Sequence, residues 1–313
     1  MLLNYRIIII SFLFFIKLYS QGKMNAYGLG HFYSNQGNES SQNILLNLAP
    51  SFKSNVSLSN PSTWHNLKYS FLSLSYSVDE NFQNDLSLLN RYSGLSSALL
   101  VIPIKNRGSF GIQISPYLNQ NSFIQDSSDE NISLFDDDSL NILKTITKYG
   151  GVMNFKIGSS YKVKNIFSIG MRLNYLFGSS RQNNSINFGG STIISTSTLV
   201  YNGSFFEIFF HKDFMKKYHF FYSLKSTMQP LGVEYKTRPL FDDVNNNEFH
   251  DGQDFPNNFL SQEEFNDFIK TRTDTVQLNK MHKPSGYTVC LSYLNSNNSS
   301  FSLEFQENKN KFY

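Results

Sequence analysis

Most of the chain after about residue 68 alternates apolar and polar positions with period two, the pattern of a β-strand that shows one apolar face. In 165–177, Phe167, Ile169, Met171, Leu173, Tyr175 and Phe177 share one face, against Ser168, Gly170, Arg172 and Asn174. In 151–163, Met153, Phe155, Ile157 and Tyr161 oppose Asn154, Lys156, Gly158, Ser160 and Lys162. The segments 108–115, 217–225, 285–294 and 299–306 behave alike. Strands are predicted near 68–78, 93–104, 108–118, 149–163, 165–177, 184–200, 203–212, 217–228, 232–237, 274–280, 285–294 and 299–306.

A soluble sandwich can show such alternation. Two features favour a transmembrane barrel: strands of about 10–14 residues, where soluble strands run about 5–6, and Tyr and Phe near strand ends. The bilayer then sets the faces. A Lys or Arg turned to mid-bilayer lipid would cost about 2–4 kcal/mol. Asn154, Lys156, Arg172, Asn174 and Lys225 are therefore expected to line the lumen. Taken alternately, the predicted connections sort by length. One set is short: 105–107, Lys164, 201–202, 229–231 and 281–284. The other holds the long insertions at 79–92, 119–148 and 238–273. Short turns at one end and long loops at the other suit an outer-membrane barrel. The predicted fold is all-β: an antiparallel transmembrane β-barrel of about 12–14 strands over 68–313, with long extracellular loops at 119–148 and 238–273. A soluble exported sandwich is the competing fold.

The N-terminus reads as a signal peptide over residues 1–20. Arg6 supplies the positive start, Ile7 to Ile16 the apolar stretch, and Ser20 a small residue at the cleavage point. Lys17 interrupts the apolar run and leaves it too short for a membrane anchor. Removing the peptide leaves 25 basic against 24 acidic residues. The expected location is the outer membrane of a Gram-negative bacterium.

Residues 21–67 precede the barrel and lack clean alternation, which marks them as a plug-like segment. It ends in Asn60-Pro61-Ser62, then Thr63-Trp64. The arrangement resembles the outer-membrane long-chain fatty-acid transporter (FadL-type) superfamily, whose members carry an Asn-Pro-Ala-type motif in a hatch just before the first strand. That superfamily also includes barrel subunits of a Bacteroidetes secretion machine. The resemblance implies a 14-stranded barrel with a lumen for a hydrophobic ligand, and it assigns no ligand residue here. An ordinary Asn-Pro turn gives the same tripeptide. The ending 307–313 reads either as a turn into a further strand or, through Phe312 and Tyr313, as an aromatic insertion signal.

Composition narrows the picture further. The chain has 313 residues, a net charge of +3, one Cys, one Trp, 30 Phe and 18 Tyr. Slightly negative mean hydropathy and a single long apolar run exclude a polytopic helical membrane protein. One Cys excludes a disulfide scaffold and a Cys-based zinc site, and Cys290 suits strand packing. The charge balance does not suggest nucleic-acid binding.

The sharpest local motif lies in 238–273. Asp243, Asn245, Asn247, Asp251 and Asp254, with the Phe249 carbonyl, fall at positions 1, 3, 5, 9, 12 and 7 of a calcium loop. Glu248 stands where Gly is preferred, and Asp254 replaces the usual Glu. A solvated acidic loop is the alternative to Ca²⁺. Ser261 and Glu264 then form a capping box before Phe265, Phe268 and Ile269, which predicts a short helix. Asp126, Asp129, Glu130 and Asp136 to Asp138 read as a solvated charge cluster. Neither His-Glu-x-x-His, Gly-x-Ser-x-Gly nor a Walker loop occurs. The expected function is non-enzymatic: an outer-membrane channel for uptake of a hydrophobic or small solute, gated by 21–67. The alternative is a structural or secretion-associated barrel that binds protein partners at its extracellular loops. Outer-membrane lipid is the partner common to both.

Overall fold

The computed structural model describes residues 31–32, 48–50, 56–83, 88–104, 107–128, 142–164, 166–188, 191–214, 217–237, 241–242, 244, 254, 274–294, 300–308 and 311–312. The signal peptide expected at 1–20, most of 21–47 and the short helix expected at 261–269 lie outside these residues.

Fourteen strand segments form one antiparallel sheet. They are β1 (His31–Phe32), β2 (Phe71–Gln83), β3 (Leu88–Ile104), β4 (Gly108–Asn119), β5 (Ser122–Ser128), β6 (Ile142–Val163) and β7 (Phe167–Phe188). Then come β8 (Ser191–Phe214), β9 (Tyr218–Thr237), β10 (Phe241–Asp242), β11 (Asp274–Lys283), β12 (Gly286–Leu294), β13 (Ser300–Asn308) and β14 (Lys311–Phe312). The continuous path is β13-β12-β9-β8-β7-β6-β4-β3-β2. Among the described residues β2 and β13 do not pair with each other. The sheet nevertheless wraps an interior. Tyr117 of β4 reaches His282 of β11 at 3.0 Å, although β6 to β9 stand between them in the sheet. The short 3-10 helix Pro61–Asn66 lies inside and touches β3, β4, β6, β7 and β8.

The distribution of side chains is the reverse of a soluble protein's. Large apolar groups face out: Leu74, Ile157, Met171, Leu173, Leu291 and Leu303 are all exposed. Polar groups face in: Asn154, Asn174, Gln113 and Glu207 are buried. A sandwich would bury the first set and wet the second. Here lipid is the solvent that the outer face requires. On β7 the apolar band runs from Phe167 to Phe177, a rise of about 33 Å along the strand and about 25 Å after a tilt of about 40°. That is the height of an outer-membrane apolar band. Aromatic rings line the short-turn end of the outer face, with Phe167–Phe210 centroids at 5.4 Å and Tyr218–Tyr293 at 5.0 Å.

Several predicted turns lie inside strands. The segment 184–200 straddles the hairpin at 189–190, so its start belongs to β7 and the rest forms β8 together with 203–212, while 217–228 and 232–237 are both β9. Segments β11 and β12 follow one another along the same edge of β9, so 281–284 is a break in a single line of pairing. The misleading signals are Asn202-Gly203, Gln229-Pro230 and Pro284-Ser285, whose Gly and Pro mark bulges as readily as turns. The register shifts of the β8–β9 ladder fall between Asn202 and Phe205, opposite Gln229. Further round, Gly178 of β7 (φ 150) pairs with both Val152 and Tyr201, next to Gly150 of β6 (φ 108). The β4–β6 ladder shifts register between Pro116 and Leu118, opposite Val152 at the same level, so the bulges and the positive-φ glycines form one belt. Beyond it, strands continue with Ser- and Asn-rich sequence such as 179–187, which has no apolar face to read. The loop expected at 119–148 shrinks for the same reason: β5 and the start of β6 pair within it, and 129–141 alone joins them. The expected insertion 79–92 is also mostly strand, since β2 and β3 pair as far as Gln83 and Leu88 and leave only 84–87, and 189–190 is a short connection at the same end; length sorting therefore holds only for 129–141 and 243–273, which lie opposite the turns 105–107, 164–166 and 215–217.

The two halves of β7 should respond differently to charge. Leu173→Lys, in the apolar band, is expected to destabilise the folded protein by about 2–4 kcal/mol in urea titrations in bilayers. Asn187→Lys, beyond the belt, should stay within about 0.5 kcal/mol of wild type.

Candidate functional site

The lumen is furnished in layers that follow the inward positions of β7: Ser168, Gly170, Arg172, Asn174 and Leu176. The lowest layers hold the plug. Asn60 caps the 3-10 helix. Its Oδ1 accepts from the Ser62 backbone N–H at 3.1 Å and from Ser62 Oγ at 2.7 Å. Its Nδ2 donates to the Leu48 carbonyl at 2.9 Å. Pro61 opens the helix, where a missing N–H costs nothing and the fixed φ suits the first turn. Pro61 and Ser62 rest on Gly170, where a Cβ would stand 2.5 Å from the Ser62 nitrogen. Asn60, Pro61 and Ser62 therefore meet the wall as one capped turn.

Trp64, only 2% exposed, lies over Gly111 and Gly158, which pair across β4 and β6. A Cβ at Gly111 would come within 2.6 Å of its ring. The indole Nε1 donates to the Leu58 carbonyl at 3.1 Å. Thr63 Oγ1 accepts from the Ser57 backbone N–H at 2.9 Å and closes the loop before the helix. Beside them, His65 Nδ1 lies 2.9 Å from the Ser62 carbonyl, and Nε2 lies 3.4 Å from Ser168 Oγ. Burial holds the His65 imidazole down at about 4, so it is neutral at ordinary pH.

The next layer is charged. Arg172 Nε donates to Glu207 Oε2 at 2.8 Å, and Arg172 Nη1 donates to the Ser59 carbonyl of the plug at 3.1 Å. Asn174 Nδ2 donates to the same Glu207 oxygen at 3.0 Å, and Asn174 Oδ1 accepts from Asn154 Nδ2 at 3.2 Å. Lys225 Nζ stands 3.7 Å from Glu207 Oε1. Two inward aromatics take the remaining faces of the cations, with Arg172 5.0 Å from the Phe209 ring and Lys225 5.3 Å from Phe205. A cavity of about 120 Å³ lies among Lys156, Arg172, Glu207, Lys225 and the plug residues Leu48 and Ser59. All five residues expected in the lumen thus lie on the inner face, and Lys156, Arg172 and Lys225 meet in one space. Glu207 is their common anion. It carries no signal of its own in the sequence, since it stands between two inward Phe residues in a strand whose inner face is not uniformly polar.

Above the charges, Leu118, Val152, Leu176, Tyr201, Phe205, Leu231 and Val233 form an apolar collar at the level of the bulges. Tyr201 Oη donates to Gln120 Oε1 at 2.6 Å, which satisfies the one polar atom of that ring. Cys290 is a free, fully buried thiol packed with Leu48, Ala49, Phe209 and Phe221.

Of the six residues expected to bind calcium, Asp243, Asn245, Asn247, Phe249 and Asp251 lie outside the described residues. Asp254 is buried, and its Oδ1 accepts from the Val244 backbone N–H at 3.2 Å. Gly111, Gly158 and Gly170 were not singled out from the sequence as a plug seat, because only the register brings them together.

A family model described as BamG matches residues 1–313. No curated protein matches the chain. Among solved structures, the crystal structure of a Pseudomonas aeruginosa FadL homologue aligns with 12% identity and a TM-score of 0.49, over 89% of this chain and 70% of that one.

Trp64 is the chain's single tryptophan, so its emission reports the plug directly. Gly158→Leu should unseat the indole and shift the emission to the red in the otherwise folded barrel. Glu207→Ala should cost about 3–5 kcal/mol in urea titrations, because it leaves buried cations without their anion.

Proposed function

The chain belongs to the BamG family, and from that premise we propose that it is a non-enzymatic structural barrel of the outer membrane that binds protein partners through its loops and rim. The observation that carries this reading is how closely the described residues pack the lumen around the 3-10 helix. The plug occupies the wall at Gly111, Gly158 and Gly170, and Arg172 ties it to Glu207 and Lys225. The space left among these groups is about 120 Å³, well below the roughly 300–1,000 Å³ of a ligand pocket. The apolar collar is likewise packed by its own side chains. The carboxylate of Glu207 is already engaged by three partners, which leaves it no acid–base role. Work done by such a barrel falls to its outer surfaces, and the insertions 129–141 and 243–273 gather at one end.

Gated uptake of a hydrophobic or small solute is the second reading. The collar favours it, because Leu118, Val152, Leu176 and Leu231 would offer an apolar ligand a passage once the plug moved. Within the loop 238–273 we further propose a calcium site formed by Asp243, Asn245, Asn247, Phe249, Asp251 and Asp254, which would brace that loop.

Conductance in planar bilayers and affinity purification from native membranes separate the two readings. The structural role predicts a silent wild-type barrel that brings down a defined set of proteins. Steady conductance of the wild type, or lipid carried in its lumen without protein partners, would overturn it in favour of uptake. Calcium should protect the loop from proteolysis, and Asp243→Asn with Asp251→Asn should remove that protection.

A further inference from the structure

At the short-turn end of the lumen, β8 and β9 join through residues 215–217. The register pairs His211 with Phe221 and Asp213 with His219. His211 and Asp213 are two apart on one strand and His219 faces Asp213 on the next, so all three point to the same face. Their ligating atoms lie within 4.8 Å of one another. Asp213 Oδ1 is 2.8 Å from His211 Nε2 and 2.6 Å from His219 Nδ1. We propose that His211, Asp213 and His219 bind a first-row divalent cation, with Zn²⁺ the best fit.

The donor set supports this chemistry. Two imidazoles and one carboxylate suit zinc and its neighbours, and three protein ligands leave a position for water. Bonds of about 2.0–2.2 Å in a tetrahedron hold donors about 3.4 Å apart. The two Asp213 contacts need to open by only about 0.6–0.8 Å to admit an ion. Asp213 can make that movement, since its side chain is 59% exposed.

A separate observation points to a missing partner. His211 is buried at 7% exposure; its Nε2 meets Asp213 at 2.8 Å, and its Nδ1 makes no hydrogen bond. A buried imidazole left so is costly, and native structures rarely tolerate it without a reason. Its ring is also held in place, stacked on Phe221 at 4.4 Å with planes 10° apart, as a metal ligand must be. The plug sits next to this cluster: His65 Nε2 approaches Ser168 Oγ, and Ser168 pairs with His211 in the sheet. An ion here would brace the β8–β9 hairpin beneath the seated plug.

The test uses the whole barrel, purified in detergent through a tag without histidine and stripped with a chelator. Titration with Co²⁺ should give the visible absorption of a tetrahedral N/O site, saturating at one equivalent per chain and displaced by Zn²⁺. His211→Ala, His219→Ala and the gentler His219→Asn should each weaken binding by at least about tenfold, while His282→Ala leaves it unchanged. Heat-modifiable migration on gels shows that each variant is folded. A folded wild type without the absorption, or binding that survives in His211→Ala, would overturn the proposal and leave Asp213 as a plain ion-pair partner of two imidazoles.

Discussion

A strand in a bilayer must satisfy its backbone within the sheet and keep its charges off the lipid. The rest of this structure follows from that constraint. It turns Leu173, Ile157 and Leu291 outward and sends Arg172, Lys156 and Lys225 into the lumen. Once inside, the cations need an anion, and Glu207 provides it at 2.8 Å from Arg172. The same arginine holds the Ser59 carbonyl, so the solution to the charge problem is also the lock on the plug. Breaking a buried pair costs several kcal/mol, which makes the plug's seat part of the fold's own stability.

Shape complements charge. Gly111, Gly158 and Gly170 remove side chains where the plug lies flat against the wall, and Trp64 fills the depression. The plug's local order comes from its own cap: Asn60 closes the turn that Pro61 begins, and Thr63 ties back to Ser57. The layers above it are first charged, around a cavity of about 120 Å³, and then apolar.

The faces of the strands were legible in the sequence, because period-two alternation and the cost of charge in lipid act on single residues. Phe167 to Phe177 could be assigned to lipid and Arg172 to the lumen from spacing alone. The strand ends were less legible. Asn202-Gly203 and Gln229-Pro230 read as turns, yet they face each other across β8 and β9 as bulges. Residues 179–187 carry no alternation, since both of their faces lie outside the apolar band and meet polar surroundings. The candidate site was half legible. Lys156, Arg172 and Lys225 declared themselves as misfits in apolar strands. Glu207 and the three glycines acquire meaning only through register, and so does the triad of His211, Asp213 and His219, whose members are scattered polar residues until β8 and β9 pair.

The central claim is that residues 56–67 are seated against the wall as firmly as the strands hold one another. Amide hydrogen exchange on the whole barrel in lipid bilayers tests it most directly. The account predicts that the amides of Thr63 and Leu67, which bond to the Asn60 and Trp64 carbonyls, exchange as slowly as those of β6 and β7, and that Arg172→Ala speeds them selectively. Exchange of 56–67 at the rate of a free peptide, beside protected strands, would contradict the account and leave the lumen open.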